Sequence, residues 1–266
     1  MPTRASKVGR IMTDKWRKTW LDDLECERYG SLLYSRAIGE LPEMESSKAV
    51  AARLRSVAKP GDQILDAGCG AGHYLRSLSN NLPFEFQYTG VDATPRFIEL
   101  ARQAFASFSD ADFEIGDINA LPFADASYDL VMSNNVLLHL PSIQKPLQEL
   151  CRVARRYVLV RTLVGERSFR IQDVHGSGDE FDETGEPIEF HYYNIYSKPY
   201  IEYLLANIPF VKSWQIVPDQ AFDETRIAEA ATEQSDAPDV TTMLGGWQLN
   251  GYILQPWSFI EVEIAR

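Results

Sequence analysis

Four short stretches of the chain hold the residues whose types and spacing could do chemistry. The first, ILDAGCGAGHY at 64–74, sets Asp66 ahead of Gly68, Gly70 and Gly72. Alternating glycines let a backbone turn sharply and approach a ligand with no Cβ in the way. The flanking residues read as an apolar strand, the turn, and a helix opening at Gly72 and running to Leu78, whose free N–H groups favour an anionic or carboxylate-bearing partner. A nucleotide-like ligand is the expectation. The second stretch, QYTGVD at 87–92, is an apolar run ending in Asp92. It lies about twenty residues past the turn, where a βαβ unit places a carboxylate against ribose hydroxyls. Two acceptor oxygens suit two neighbouring hydroxyl donors. The third, FEIGD at 113–117, reads as a strand ending in Asp117. The fourth, LPFADASYDLVMSNNVLLHL at 121–140, holds a strand over 128–133, the polar step Ser133-Asn134, and His139 in an apolar helix.

The spacing also discriminates. The dinucleotide fingerprint G-x-G-x-x-G requires a third glycine at position 73, and that residue is His73. An NAD-linked oxidoreductase is therefore disfavoured, yet it stays open as an alternative. Each acid has a structural reading too: Asp92 as the cap of a helix over 96–105, Asp117 as the cap of a turn.

In order and type, the four motifs resemble the class I S-adenosylmethionine-dependent methyltransferases. That family pairs an acid-x-G-x-G-x-G turn with an acid after strand two, a "GD…LPF…(F/Y)D" segment, and a polar step after strand four. The resemblance covers 63–161 and implies S-adenosyl-L-methionine as cofactor. It implies that Asp66 and the Gly68, Gly70 and Gly72 turn hold the methionine end, and that Asp92 binds the ribose hydroxyls. It further implies that Asp117 accepts from the adenine amino group beside the Ile118 N–H, and that the Ser133 or Asn134 backbone meets the α-amino group. The fold implied is α/β and Rossmann-like: a seven-stranded, mostly parallel sheet whose last strand is antiparallel. His139 is the candidate general base, at the carboxyl side of the sheet where ligands gather in open α/β folds, with His175, His191, Tyr192 and Tyr193 as further acceptor contacts. A packed or capping histidine is the other reading of His139, and His73 reads as decoration on the first helix.

The elements that must position these groups follow from pattern and length. The 266 residues suit one α/β domain with additions. Residues 14–58 have helical periodicity, clearest over 43–57, so 1–60 reads as a helical N-terminal cap or arm and 61–266 as the cofactor-binding core. The cap holds Trp16, Trp20, Tyr29, Tyr34 and Arg36. Residues 150–162 read as a helix end and a buried fifth strand. An acidic insertion at 165–192 breaks the pattern, as lids and substrate covers do. Ser197 and Pro199 mark the start of a core helix, 210–217 gives strand six, 219–239 a surface helix and loop, and 252–264 a final strand.

Charge and composition narrow the partners. A net charge of −12 argues against nucleic acid, whose binding rests on Lys and Arg, although Arg4, Lys7, Arg10, Lys15, Arg17 and Lys18 make the arm locally basic. No run is long and apolar enough for a membrane span or a signal peptide, so a cytoplasmic enzyme is expected. Cys26, Cys69 and Cys151 fit neither a disulfide framework nor a zinc site, and read as buried small residues. The expected partner is a small-molecule methyl acceptor, methylated at oxygen or nitrogen. A non-catalytic module binding S-adenosylmethionine is the third alternative, because function lives in the site rather than the fold.

Overall fold

The computed structural model describes residues 23–174, 181, 183–187, 190–220, 242–244, 247–250 and 253–266. The basic arm with Trp16 and Trp20, the side chain of Cys26, His175, and the helix expected within 219–239 lie outside the described residues or side chains.

Two helices precede the sheet, α1 (Asp23–Ile38) and α2 (Glu45–Arg55). Helix α1 stops at Gly39, whose φ of 84° is the left-handed conformation that ends helices at little cost for glycine. Five parallel strands follow: β1 (Gln63–Ala67), β2 (Gln87–Asp92), β3 (Ala111–Ile115), β4 (Tyr128–Asn134) and β5 (Ala154–Gly165). They alternate with α3 (His73–Asn81), α4 (Pro95–Ala104) and α5 (Gln144–Val153). Pro95 stands in the first turn of α4, where its missing N–H costs nothing.

After β5 come the two-residue strands β6 (Gln172–Asp173), β7 (His191–Tyr192) and β8 (Tyr196–Ser197), then α6 (Lys198–Ala206) and β9 (Val211–Pro218). Strands β10 (Thr242–Leu244), β11 (Trp247–Asn250) and β12 (Ile253–Gln255) form a separate antiparallel meander, and β13 (Trp257–Ile264) returns to the main sheet.

The main sheet runs β3-β2-β1-β4-β5-β13-β9, with β8 added beside β5. Strand β13 is antiparallel to both neighbours. Those seven strands and the one reversed member match the expected Rossmann-like fold. Strand order reverses between β1 and β4, and a crevice outside the carboxyl ends of strands at such a point is where open α/β sheets bind ligands.

Period-two alternation divides the core. Leu65, Val131, Val158 and Val160 face α5 and α6, whereas Ile64, Leu130, Met132, Tyr157 and Leu159 face α2, α3 and α4. Both faces are thus buried, as a parallel sheet requires. The buried residues of α3, Tyr74, Leu75 and Leu78, and those of α4, Phe97, Ile98 and Ala101, recur at helical spacing for the same reason.

Two expectations need correction. The apolar segment after β4 forms only a short 3₁₀ turn, Leu137–His139, before α5 begins. The run 252–264 is two strands, because Pro256 lacks the N–H that would continue one ladder. The insertion at 165–192 starts where β5 ends, at Gly165, and within it β6 and β7 pair as an antiparallel ribbon.

Candidate active site

The glycine turn is held by main-chain bonds to the end of β2. Gly68 and Cys69 both donate to the Val91 carbonyl, at 2.7 and 3.0 Å. Gly68, Gly70 and Gly72 have φ of 88°, 55° and 82°, a region that other residues enter only at a cost. Space is short as well, since a methyl at Gly68 would lie 2.2 Å from Val136 Cγ2.

Asp92 ends β2 and braces the turn. Its Oδ2 accepts from the Gly70 N–H at 3.0 Å and its Oδ1 from the Thr94 N–H at 2.9 Å. Burial raises its pKa, while these backbone bonds oppose the rise. The Thr94 side chain and the Ala93 N–H also hydrogen-bond to this carboxylate.

Asp66, at the carboxyl half of β1, is 1% exposed. Its Oδ2 accepts from the Tyr88 hydroxyl at 2.8 Å, and its Oδ1 has no hydrogen-bond partner. Burial pushes its carboxyl up to about 7; the Tyr88 bond works against that, and the nearby charge of Asp92 adds to it. Asn134, at the end of β4, is likewise buried with neither its Nδ2 nor its Oδ1 partnered. Ser133 turns the other way, and its Oγ donates to the Ala67 carbonyl at 2.8 Å, tying β4 to β1.

Asp117 lies just beyond β3, in a turn whose Asn119 backbone and side-chain N–H groups both donate to its Oδ1 at 2.8 Å. The Ile118 side chain joins the core, and the Gly116 N–H donates to the Asp92 carbonyl at 3.0 Å, keeping this loop beside β2. Asp66, Asp92, Asn134 and the glycine turn therefore converge at the carboxyl ends of β1, β2 and β4, with Asp117 and Ile118 on the β2–β3 side.

His139 closes the 3₁₀ turn on the other side of the crevice. Its Nδ1 lies 2.8 Å from the Tyr192 carbonyl, so Nδ1 carries the proton and Nε2 the lone pair of the neutral ring. Burial lowers its pKa to about 4; the carbonyl opposes that shift and His191 adds to it. Tyr193 packs edge-on against the ring with centroids 5.8 Å apart. His73 is no mere decoration. Its Nδ1 is buried and unpartnered at the start of α3, and burial lowers its pKa to about 3, with the charge of Arg36 adding to the effect.

Two groups escaped the sequence reading. Arg161 on β5 is almost wholly buried; its Nε donates to Asp219 at 2.7 Å and its Nη1 to the Asn135 side chain at 2.6 Å. The Asn135 N–H in turn donates to the Arg161 carbonyl at 2.9 Å, which holds Asn135 at a φ of 60° beside Asn134. A lone arginine inside the apolar run VLVRTLV was the available signal. Asn194 is the second group: it donates through Nδ2 to the Leu140 carbonyl at 2.9 Å and through its backbone N–H to Leu138 at 2.9 Å. It anchors the ribbon to the turn that carries His139.

A methyltransferase-domain family model matches residues 58–175, the segment that contains every one of these strand-end groups from Asp66 to His139. That stretch is similar to a methyltransferase domain. Among the chain's relatives, the malonyl-[acyl-carrier protein] O-methyltransferase of Serratia marcescens is 32% identical over 125 residues, 46% of this chain and 47% of that protein. The arsenite methyltransferase of Halobacterium salinarum is 35% identical over 98 residues, covering 36% and 25%. This chain thus spans about a quarter to a half of the length of the curated relatives it matches. A methyltransferase structure from Methanosarcina mazei superposes with a TM-score of 0.52 at 18% identity, covering 80% of this chain and 96% of that one. The [4+2]-cyclase SpnF superposes with a TM-score of 0.52 at 18% identity, covering 82% and 80%.

The residues present suit the cofactor that the family name implies. Unpartnered acceptors at Asp66 and Asn134 suit an ammonium, and the Asn134 amide suits a carboxylate. Among the described residues, no helix is long and apolar enough to cross a membrane.

Proposed function

We propose that this protein transfers a methyl group from S-adenosyl-L-methionine to an oxygen or nitrogen of a small-molecule acceptor. The observation that carries this reading is the set of buried, unpartnered polar atoms on Asp66 and Asn134 beside the glycine turn. A buried polar atom left without a partner costs about 1–3 kcal/mol, so two such residues in one crevice point to a polar ligand.

On this reading Asp66, the Gly68–Gly70–Gly72 turn and Asn134 hold the methionine end, and Asp92 takes the ribose hydroxyls. Asp117 and the Ile118 N–H read the adenine edge. The cofactor supplies a methyl group already activated on a sulfonium. The protein's part is then to hold the acceptor atom close and in line, which can supply on the order of 7–11 kcal/mol of the barrier. His139 faces that task as a neutral base: with Nδ1 committed to the Tyr192 carbonyl, Nε2 takes the proton from an acceptor hydroxyl or amine. Tyr192 and Tyr193 belong to the ribbon and wall the acceptor side.

The family resemblance covers the donor half, and the relatives' names range from malonyl-carrier to arsenite acceptors. The acceptor is therefore sought in the ribbon rather than the core. The net charge of −12 supports a small molecule over nucleic acid. Calorimetric titration with S-adenosylhomocysteine and with NAD tests the donor, followed by a screen of metabolites with a labelled methyl donor. Binding of NAD in place of S-adenosylhomocysteine would overturn the reading.

A further inference from the structure

Asp66 and Tyr88 lie on one face of the β1–β2 pair, because residues two apart along a strand share a face. In the register Ile64 faces Tyr88 and Asp66 faces Gly90, so the tyrosine reaches the carboxyl diagonally. The place directly opposite Asp66 is filled by other groups: a methyl added at Gly90 would lie 2.7 Å from the Phe113 ring and 2.8 Å from Cys69 Sγ. The Phe113 ring also packs on Tyr88, with centroids 5.7 Å apart, and holds the phenol in place.

The resulting pairing is one-sided. Oδ2 accepts from the Tyr88 hydroxyl, Oδ1 is buried with no partner, and among the described residues no cation meets this carboxyl. Burial with a single neutral donor favours the protonated acid; the Tyr88 bond opposes that preference and the charge of Asp92 adds to it. The other titratable neighbours keep one state near neutral pH. Burial pushes up the pKa of Cys69 in the turn, of Tyr74 on α3 and of Tyr88 itself, so all three stay protonated. Burial also lowers His73 at the start of α3 to about 3, leaving its ring neutral. Strand β4 contributes Asn134, which does not titrate, and Asp92 is the second acid braced against the turn.

We propose that Tyr88 is a positioning residue for the methyl donor: its hydroxyl occupies one oxygen of Asp66, leaves the other for the donor's α-ammonium, and capture of that ammonium expels the Asp66 proton to solvent. This rests on the reading above that the chain binds S-adenosylmethionine. The step balances: a neutral acid meets a cation, the carboxyl O–H bond breaks, and a carboxylate–ammonium pair and one solvated proton remain. Tyr88 acts through Asp66, and by favouring the ionised carboxyl it sets the pH at which the donor is captured.

The test is isothermal titration of the full chain with S-adenosylhomocysteine and with 5′-methylthioadenosine, which keeps the ribose and sulfur but has no ammonium. Buffers of different ionisation enthalpy count the protons released. Wild-type protein should release close to one proton per S-adenosylhomocysteine at about pH 6, with affinity rising up to about tenfold per pH unit towards pH 7. Methylthioadenosine should show neither effect, and because it retains the ribose, any proton moved by Asp92 cancels in the comparison. Tyr88→Phe removes the bond that favours the ionised carboxyl, so the rise should move to higher pH. At pH 7 that variant should bind S-adenosylhomocysteine about tenfold more weakly, one pH unit of displacement, and methylthioadenosine as before. Equal losses for both ligands at every pH would make Tyr88 a packing residue and overturn the assignment. Should Tyr88→Phe not fold, the wild-type proton count decides alone: a count of about one supports the coupling, and a count of zero overturns it while leaving the donor reading in place. Wild-type protein that binds neither ligand overturns the methyltransferase reading itself, a result separable from failure of the proton coupling.

Discussion

The Tyr88 hydroxyl donates to Oδ2 of Asp66 at 2.8 Å across the β1–β2 ladder, with both side chains almost fully shielded from water. Removing that donor in Tyr88→Phe leaves a buried carboxyl with no partner at either oxygen. A loss of about 1–3 kcal/mol in unfolding free energy is expected, read by urea denaturation.

Asp66 also makes stability depend on pH in an unusual direction. Its folded value of about 7 lies above the ordinary 3.8, so between these values the folded state holds a proton that the unfolded state has released. The stability it contributes is complete below about pH 4 and is lost as pH rises through about 7. Asp66→Asn should remove that slope. Denaturation curves at several pH values check this, and an unchanged slope would contradict it.

His73 and His139 act in the opposite sense. Their folded values of about 3 and about 4 lie below the ordinary 6.5. The unfolded chain therefore gains protons first, and their contribution falls away as pH drops from about 6.5 towards 4. His139→Gln should make the acid limb shallower. The same variant should lower kcat by roughly a hundredfold to ten-thousandfold if Nε2 takes the acceptor's proton, with donor affinity unchanged. An unaltered kcat would restrict His139 to packing.

Gly68 faces two separate obstacles to a side chain, its φ of 88° and Val136 Cγ2 at 2.2 Å from a built methyl. Gly68→Ala should therefore abolish donor binding and destabilise the protein by several kcal/mol, about 1–2 of it from the left-handed backbone alone. Gly68→Ala combined with Val136→Ala should recover only the steric part. A double-mutant cycle separates the two.

The buried pair of Arg161 and Asp219 makes a sharper demand. Asp219→Ala strands a guanidinium in the interior, so a loss of about 3–5 kcal/mol is expected, whereas Asp219→Asn keeps an acceptor and should lose less. Thermal and urea unfolding of the two variants give the ranking.

What could be read in the sequence was local. Strands β1, β2 and β4 announced themselves because apolar runs end in Asp92 or in polar steps, and the turn because three glycines alternate. The pairing of Arg161 with Asp219 joins residues 58 apart, and nothing near either names the other. His139 was found by its place after β4, but the carbonyl that sets its tautomer belongs to Tyr192, on the far side of the insertion.

The anchoring of the ribbon by Asn194 separates two kinds of change the molecule can absorb. Its bonds to Leu138 and Leu140 keep the His139 turn fixed from the ribbon's root, so changes between Asp173 and the core residue Phe190 should leave that turn in place. If the proposed function holds, transplanting that stretch from a related enzyme is a route to a new acceptor with the strand-end crevice as a reusable chassis.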